Sequence, residues 1–250
     1  MAGNRANNGT GLNMRITPQS NGSLWRRQSL TVLLFWLAWA AAAGPFQSEH
    51  PLTGRRIAPV MGAGGADWLE RGERESEEHP DEALEAIGIK PGMVVADVGA
   101  GTGYMTLRLA RRVGPSGKVY ANDIQPEMLR MLRQNAARAG WKNIETVLGT
   151  ESDPKLPSGA LDLILLVDVY HEFSQPQKML EKMRADLKPD GRLVLLEYRK
   201  EDPSIPIRPE HKMSVGEART ELEAEGFHLH QVLEILPRQH ILIFTKAAAQ

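Results

Sequence analysis

Residues Val94 to Tyr104 read Val-Val-Ala-Asp-Val-Gly-Ala-Gly-Thr-Gly-Tyr, an apolar strand running into a turn that places glycine at Gly99, Gly101 and Gly103. Such a turn lets backbone approach a ligand closely, and a helix starting near Met105 would aim the positive end of its dipole at that ligand. A second apolar strand, Lys118 to Asn122, leads to Asp123, where a carboxylate can accept hydrogen bonds from both hydroxyls of a ribose. The pair predicts a nucleoside cradle. The dinucleotide fingerprint G-x-G-x-x-G requires its third glycine where this chain has Tyr104, so the spacing weighs against NAD.

Beyond Pro80 the chain alternates helix and strand in the rhythm of a parallel sheet. A short helix runs from Pro80 to Gly88, and Lys90-Pro91-Gly92 turns into a first strand at Met93 to Val98. Thr106 to Val113 is the first crossover helix. Pro126 opens a second, with Met128, Leu129, Leu132 and Ala136 on one face, and Gly140 closes it. Ile144 to Leu148 is a third strand, and Leu161 to Val167, apolar almost throughout, is a fourth that needs cover on both faces. A helix at Gln175 to Leu187 and a turn at Lys188 to Gly191 precede a fifth strand, Arg192 to Glu197. Ser214 and Glu217 form a capping box for a helix that stops at Gly226. Phe227 to Leu236 and His240 to Thr245 are joined by three residues only, which suits an antiparallel hairpin.

The pattern Asp97-x-Gly99-x-Gly101-x-Gly103 with Asp123 one strand later resembles the class I S-adenosylmethionine-dependent methyltransferases. The resemblance covers roughly Pro80 to Lys246 and implies their fold: α/β, Rossmann-like and doubly wound, with seven strands, mostly parallel, and an antiparallel last strand. It also implies the cofactor S-adenosylmethionine. Asp97 would help to hold its methionine end, the glycine turn would pass beneath it, and Asp123 and Ile124 would meet its ribose and adenine. After the third strand the family often has an acidic residue directly after a glycine. Here Thr150 stands there, leaving Glu151 or Asp153 to take the adenine amine, with Glu151 as the candidate.

Chemistry is expected at the carboxyl ends of the strands, where the connection order reverses. The fourth strand delivers Asp168-Val169-Tyr170-His171-Glu172-Phe173 to that edge. In the family this segment lines the methyl end of the cofactor. Asp168 and His171 are therefore candidates to orient or deprotonate an acceptor, Asp168 also to touch the cofactor, and Tyr170 to shape the pocket. His171 equally suits a helix cap, and Glu172 a solvated position. The proline-rich stretch Arg199 to Met213 is expected to act as a lid, with Arg208 and His211 facing an acceptor or solvent. No metal is expected, because Asp168, His171 and Glu172 have no second cluster of ligands at metal spacing.

The 250 residues carry 30 Lys and Arg against 31 Asp and Glu, a balance that offers no field to a polyanion, so nucleic acid is not favoured as a substrate. With no cysteine, disulfides and thiolate chemistry are excluded. Residues 1–23 are polar and aperiodic, the signature of disorder. Arg26 and Arg27 then precede the uncharged run Leu30 to Ala43, which reads as a signal peptide or, left uncleaved, as a membrane anchor. Export sits awkwardly with a cofactor kept inside cells; a start codon placed too far upstream would leave the protein cytoplasmic. Residues 1–45 thus form a leader, 46–79 an N-terminal extension with a glycine hinge at Gly62 to Gly65 and a charged helix at Ala66 to Glu78, 80–246 the catalytic domain, and 247–250 a tail.

The leading expectation is a methyltransferase for a small-molecule acceptor, lipid-like or quinone-like if residues 30–43 hold it at a membrane. The alternatives are a nicotinamide-dependent oxidoreductase and a non-catalytic module that binds S-adenosylmethionine.

Overall fold

The computed structural model describes residues 48–247. The leader expected over residues 1–45 and residues 248–250 of the tail lie outside them. Among the described residues no helix is long and apolar enough to cross a membrane.

Seven strands form one sheet in the order β3-β2-β1-β4-β5-β7-β6. They are β1 (Val94–Val98), β2 (Lys118–Asp123), β3 (Ile144–Leu148), β4 (Leu161–Val167), β5 (Leu187–Tyr198), β6 (Phe227–Leu233) and β7 (Gln239–Lys246). β1 pairs in parallel with β2 and β4, and β7 is antiparallel to both β5 and β6. The chain moves outward through β1, β2 and β3, then returns to β4 on the other side of β1. That reversal opens a crevice at the carboxyl ends of β1 and β4.

Side-chain alternation explains why both faces are covered. β4 sends Leu163 and Leu165 to one apolar cluster, Ile164 and Leu166 to the other, as the period of two demands. The first cluster is closed by α3 (Pro80–Ile87) and α4 (Tyr104–Val113) through Ala83, Leu84, Ile87, Met105 and Leu109. The second is closed by α6 (Pro176–Asp186) and α7 (Val215–Ala224) through Met179, Leu180, Met183 and Leu222. Between these helices in sequence lies α5 (Pro126–Arg138), which packs Leu132 against Ala121 of β2 and Ala100 of the glycine turn. The capping box of α7 is present, Ser214 Oγ accepting the Glu217 N–H at 3.1 Å.

Three local expectations change. β5 begins at Leu187, and its register with β4 steps from Leu161↔Leu187 to Leu163↔Arg192, so the expected turn at Lys188 to Gly191 is a bulge within the strand. β6 stops at Leu233, and the linker gains Glu234, whose carboxylate accepts from His240 Nδ1 at 2.5 Å. The single helix expected over Ala66 to Glu78 is two, α1 (Ala66–Leu69) and α2 (Arg74–Glu78), following a 3₁₀ turn at Ala63–Gly65 in place of a free hinge. Arginine side chains separate them. Arg71 Nη1 donates to the Trp68 carbonyl at 2.9 Å and Arg74 Nη1 to the Leu69 carbonyl at 3.0 Å, satisfying acceptors that a continuous helix would have paired.

Candidate active site

The glycine turn is built for close approach. Gly99 has φ +76°, and a Cβ there would stand 2.4 Å from Val169 Cγ2. Gly101 has φ +53°, and its missing Cβ leaves room for Leu69, whose Cδ1 would be 2.8 Å away. Only glycine meets both demands. Beneath the turn, Asp97 is buried and accepts the Thr106 hydroxyl at 2.6 Å. Burial raises its pKa to about 6, against the lowering pull of Thr106 and Arg74.

Asp123 joins the two strands of the cradle. One of its oxygens accepts the Gly101 N–H at 2.9 Å, the other the Gln125 N–H at 2.8 Å. Burial lifts its pKa while these backbone donors oppose the rise. Each oxygen keeps a free lone pair, which fits two ribose hydroxyls. Ile124 beside it is a large apolar side chain left 37% exposed, placed to cover one face of a base. Glu151 lies exposed and accepts the Ser174 hydroxyl at 3.0 Å. Asp153 is turned instead to its own loop, accepting the Lys155 N–H at 2.7 Å. The carboxylate acceptors, the apolar plate and the glycine cradle therefore suit an adenosine ligand.

Across the crevice, Asp168 leaves β4 in the left-handed region with φ +53°, an uncommon conformation for a residue with a side chain. Its Oδ2 accepts from Gln239 Nε2 at 2.7 Å, while its Oδ1 and Gln239 Oε1 are buried without partners among the described residues. Burial, with Glu78 and Glu197 nearby, raises its pKa well above the carboxylate range. Strain and an orphaned polar atom together make Asp168 a candidate functional position.

His171 is 2% exposed. Its Nδ1 donates to Glu197 Oε2 at 2.6 Å, and its Nε2 lies 3.1 Å from His211 Nδ1. Burial opposes charge on the ring, yet Glu197 outweighs it and raises the pKa. His211 is pushed the other way, by burial and by His171. Glu172, expected in solvent, is largely buried, accepts the Met61 N–H at 3.3 Å and has its pKa raised to about 7 by burial.

One of the expected substrate residues stands elsewhere. Tyr170 is fully buried, its hydroxyl donating to Glu221 Oε2 at 3.0 Å with Arg55 over its ring. It is part of the packing behind the edge, because a phenol in the core must find a partner and Glu221 supplies one. Arg208 is exposed. His211 is the member of the proline-rich stretch that reaches the strand edge.

Other participants had no motif to announce them. Glu197, at the end of β5, accepts both His171 Nδ1 and the Tyr170 N–H. Residues 55–74 lie across the carboxyl edge: Arg55 Nη1 donates to the His171 carbonyl at 3.1 Å, Gln125 Nε2 donates to the Met61 carbonyl at 3.0 Å, and Thr102 Oγ1 donates to Glu70. The signal in the sequence was Trp68 and Leu69, two large apolar residues in an otherwise charged stretch, which suit packing on the main domain or closure over a bound substrate. Trp68 remains exposed under the Arg71 guanidinium, whereas Leu69 packs on the turn.

A reversed parallel sheet with this cradle at its switch point is the architecture of a nucleoside-binding α/β fold. The methyltransferase domain family matches residues 89–235, and the chain belongs to it, within the class of S-adenosylmethionine-dependent methyltransferases. The structure is similar to that of a SAM dependent methyltransferase from Aquifex aeolicus, with TM-score 0.71 and 30% identity over 74% of this chain and 98% of that one. In sequence it is 34% identical over 119 residues to the ubiquinone/menaquinone biosynthesis C-methyltransferase UbiE of Hydrogenovibrio crunogenus, 47% of each chain. The chain thus spans about half the length of the curated relatives it matches. The [4+2]-cyclase SpnF shares the fold, with TM-score 0.59 and 17% identity over 88% of this chain and 95% of that one.

Proposed function

We propose that the chain transfers the methyl group of S-adenosylmethionine to a small-molecule acceptor held at the carboxyl edge, between residues 168–173 and the proline-rich residues 199–213. Asp123 carries this reading: a buried carboxylate bonded to the middle of the glycine turn, with free lone pairs and an exposed Ile124 beside it. When bound, the cofactor supplies an activated methyl on a sulfonium. The protein's part is then largely placement of donor and nucleophile in line, with little demand for side-chain chemistry.

In this reading Asp123 holds the ribose, Ile124 covers adenine and Glu151 receives its amine. Asp97 braces the turn through Thr106, and Leu69 closes over Gly101 to keep water from the donor. Asp168, pinned by Gln239, stands at the carboxyl edge on the acceptor side. The UbiE relatives suggest a quinone-like ring as acceptor. An apolar run at residues 30–43 would bring the enzyme to the membrane where such a ring resides.

Calorimetric titration with S-adenosylmethionine, its demethylated product and NAD tests the cofactor assignment: the first two should bind and NAD should not. A mass-spectrometric assay for methyl transfer to a metabolite extract and to a quinol then tests turnover. Binding of NAD alone would overturn the reading in favour of an oxidoreductase, and cofactor binding without any methylated product would leave a binding module.

A further inference from the structure

The edge that faces the acceptor brings together three groups that the cofactor cradle does not use. His171 Nε2 and His211 Nδ1 are 3.1 Å apart, and a Glu172 oxygen joins them, all three lying within 4.8 Å of one another. Nitrogen ligands at about 2.0–2.1 Å from a tetrahedral zinc ion stand about 3.3 Å from each other. The two imidazoles are therefore already near ligand spacing. Glu172 reaches them by a swing of its side chain, since among the described residues its carboxylate is held only by the Met61 N–H at 3.3 Å.

The surroundings suit a cation. With Nδ1–H committed to Glu197, His171 faces His211 through Nε2, and the two rings share the proton that lies between Nε2 and the Nδ1 of His211. Glu197 is fully buried, and its other oxygen accepts the Tyr170 N–H at 3.0 Å, so the ring is held in that orientation. A carboxylate behind an imidazole is the usual outer partner of a metal-bound histidine. Among the described residues neither Glu172 nor Glu197 forms an ion pair with a Lys or Arg.

We propose that His171, Glu172 and His211 form a binding site for a divalent transition-metal ion of the zinc type, with Glu197 orienting His171. Two imidazoles and one carboxylate select zinc and its first-row neighbours over magnesium or calcium, which prefer oxygen alone. Three protein ligands leave a coordination position open. His171 is buried while Glu172 and His211 are partly exposed, so that position faces outward from the sheet edge, where an oxygen, nitrogen or sulfur of a small molecule can enter. Metal entry releases the proton shared between the two rings, and His211 retains its other N–H.

The test is calorimetric titration of the tag-free full chain with Zn²⁺ alone, together with the visible spectrum of the Co²⁺-substituted protein. One ion per chain is expected. His211→Ala should weaken binding at least about tenfold, and Glu197→Gln about ten- to hundredfold. Among the described residues His211 has His171 as its one side-chain hydrogen-bond partner, so its variant should unfold at nearly the parent temperature, which separates a lost ligand from a lost fold. The double variant His228→Ala/His230→Ala on the exposed face of β6 should bind as the parent does. Absence of binding at micromolar Zn²⁺, equal affinity in His211→Ala, or loss of the site with His228 and His230 would overturn the proposal. No cofactor enters the titration, so its outcome is independent of the methyl-transfer reading.

Discussion

The guanidinium of Arg74 lies 4.1 Å from the ring centre of Tyr104, that of Arg108 lies 4.0 Å from it, and the Tyr104 hydroxyl donates to Glu75 Oε2 at 3.1 Å. Tyr104 occupies the place where a dinucleotide fold would have its third glycine. Here that ring is the post on which α2 docks, and α1 is carried with it so that Leu69 meets Gly101.

Tyr104→Ala should therefore loosen the segment over the crevice without unfolding the sheet. A cation–π contact of this kind contributes about 0.5–2 kcal/mol. We expect faster proteolytic cleavage between residues 62 and 79 and a cofactor affinity lowered by about fivefold, equivalent to ~1 kcal/mol. Limited proteolysis and calorimetry on the same preparation check both. Unchanged cleavage would show that the segment is held by its other contacts.

Asp123→Ala removes the acceptor for two backbone N–H groups and for the ribose. Hydrogen bonds to a charged group contribute about 1.5–3 kcal/mol each, so affinity for S-adenosylmethionine should fall by at least about tenfold. The demethylated product, which has the same ribose, should lose affinity in parallel. A loss confined to one of the two ligands would place the ribose away from Asp123.

For Asp97 the expectation is a pH effect on stability. Its pKa is about 6 when folded and near 4 in the unfolded chain, so between those values the folded state holds the additional proton. Its contribution is fully present below pH 4 and is lost as pH rises through 6. Two pH units correspond to roughly 3 kcal/mol. Asp97→Asn should flatten this decline, seen as a gain of the variant over the parent between pH 4 and 7 in denaturant unfolding. Parallel pH profiles would show that the carboxyl titrates as an exposed one.

Tyr170→Phe should leave cofactor affinity and the KM for an acceptor unchanged while lowering stability by about 1–2 kcal/mol, the cost of depriving buried Glu221 of a donor. Glu221→Ala should cost more, about 3–5 kcal/mol, because it strands the Arg55 guanidinium that donates to Glu221 through Nε at 2.8 Å and Nη2 at 3.0 Å. Thermal unfolding of both variants checks the order. A raised KM in the tyrosine variant would return that ring to the pocket wall.

The sheet was legible before any coordinates because its signals are local. Ile144 to Leu148 and Leu161 to Val167 match the observed strands to the residue, since short runs rich in apolar and β-branched residues and flanked by breakers have few other ways to bury themselves. The cradle was legible for a related reason: a glycine turn and the acid that receives its N–H are each set by the chain close to a strand end. The split of residues 66–78 into two helices was hidden, because it depends on which carbonyls Arg71 and Arg74 reach.

By itself the sequence determined the parallel sheet, its antiparallel finish and the nucleoside cradle, all consequences of periodicity and of glycine's freedom at positive φ. Tertiary structure alone decided that Tyr170 belongs to the core, that Leu69 closes on the turn, and that His171 meets His211 across 40 positions. Those outcomes turn on side chains far apart in the chain, and whether they face one another is fixed only when the strands have paired and the crossovers have packed.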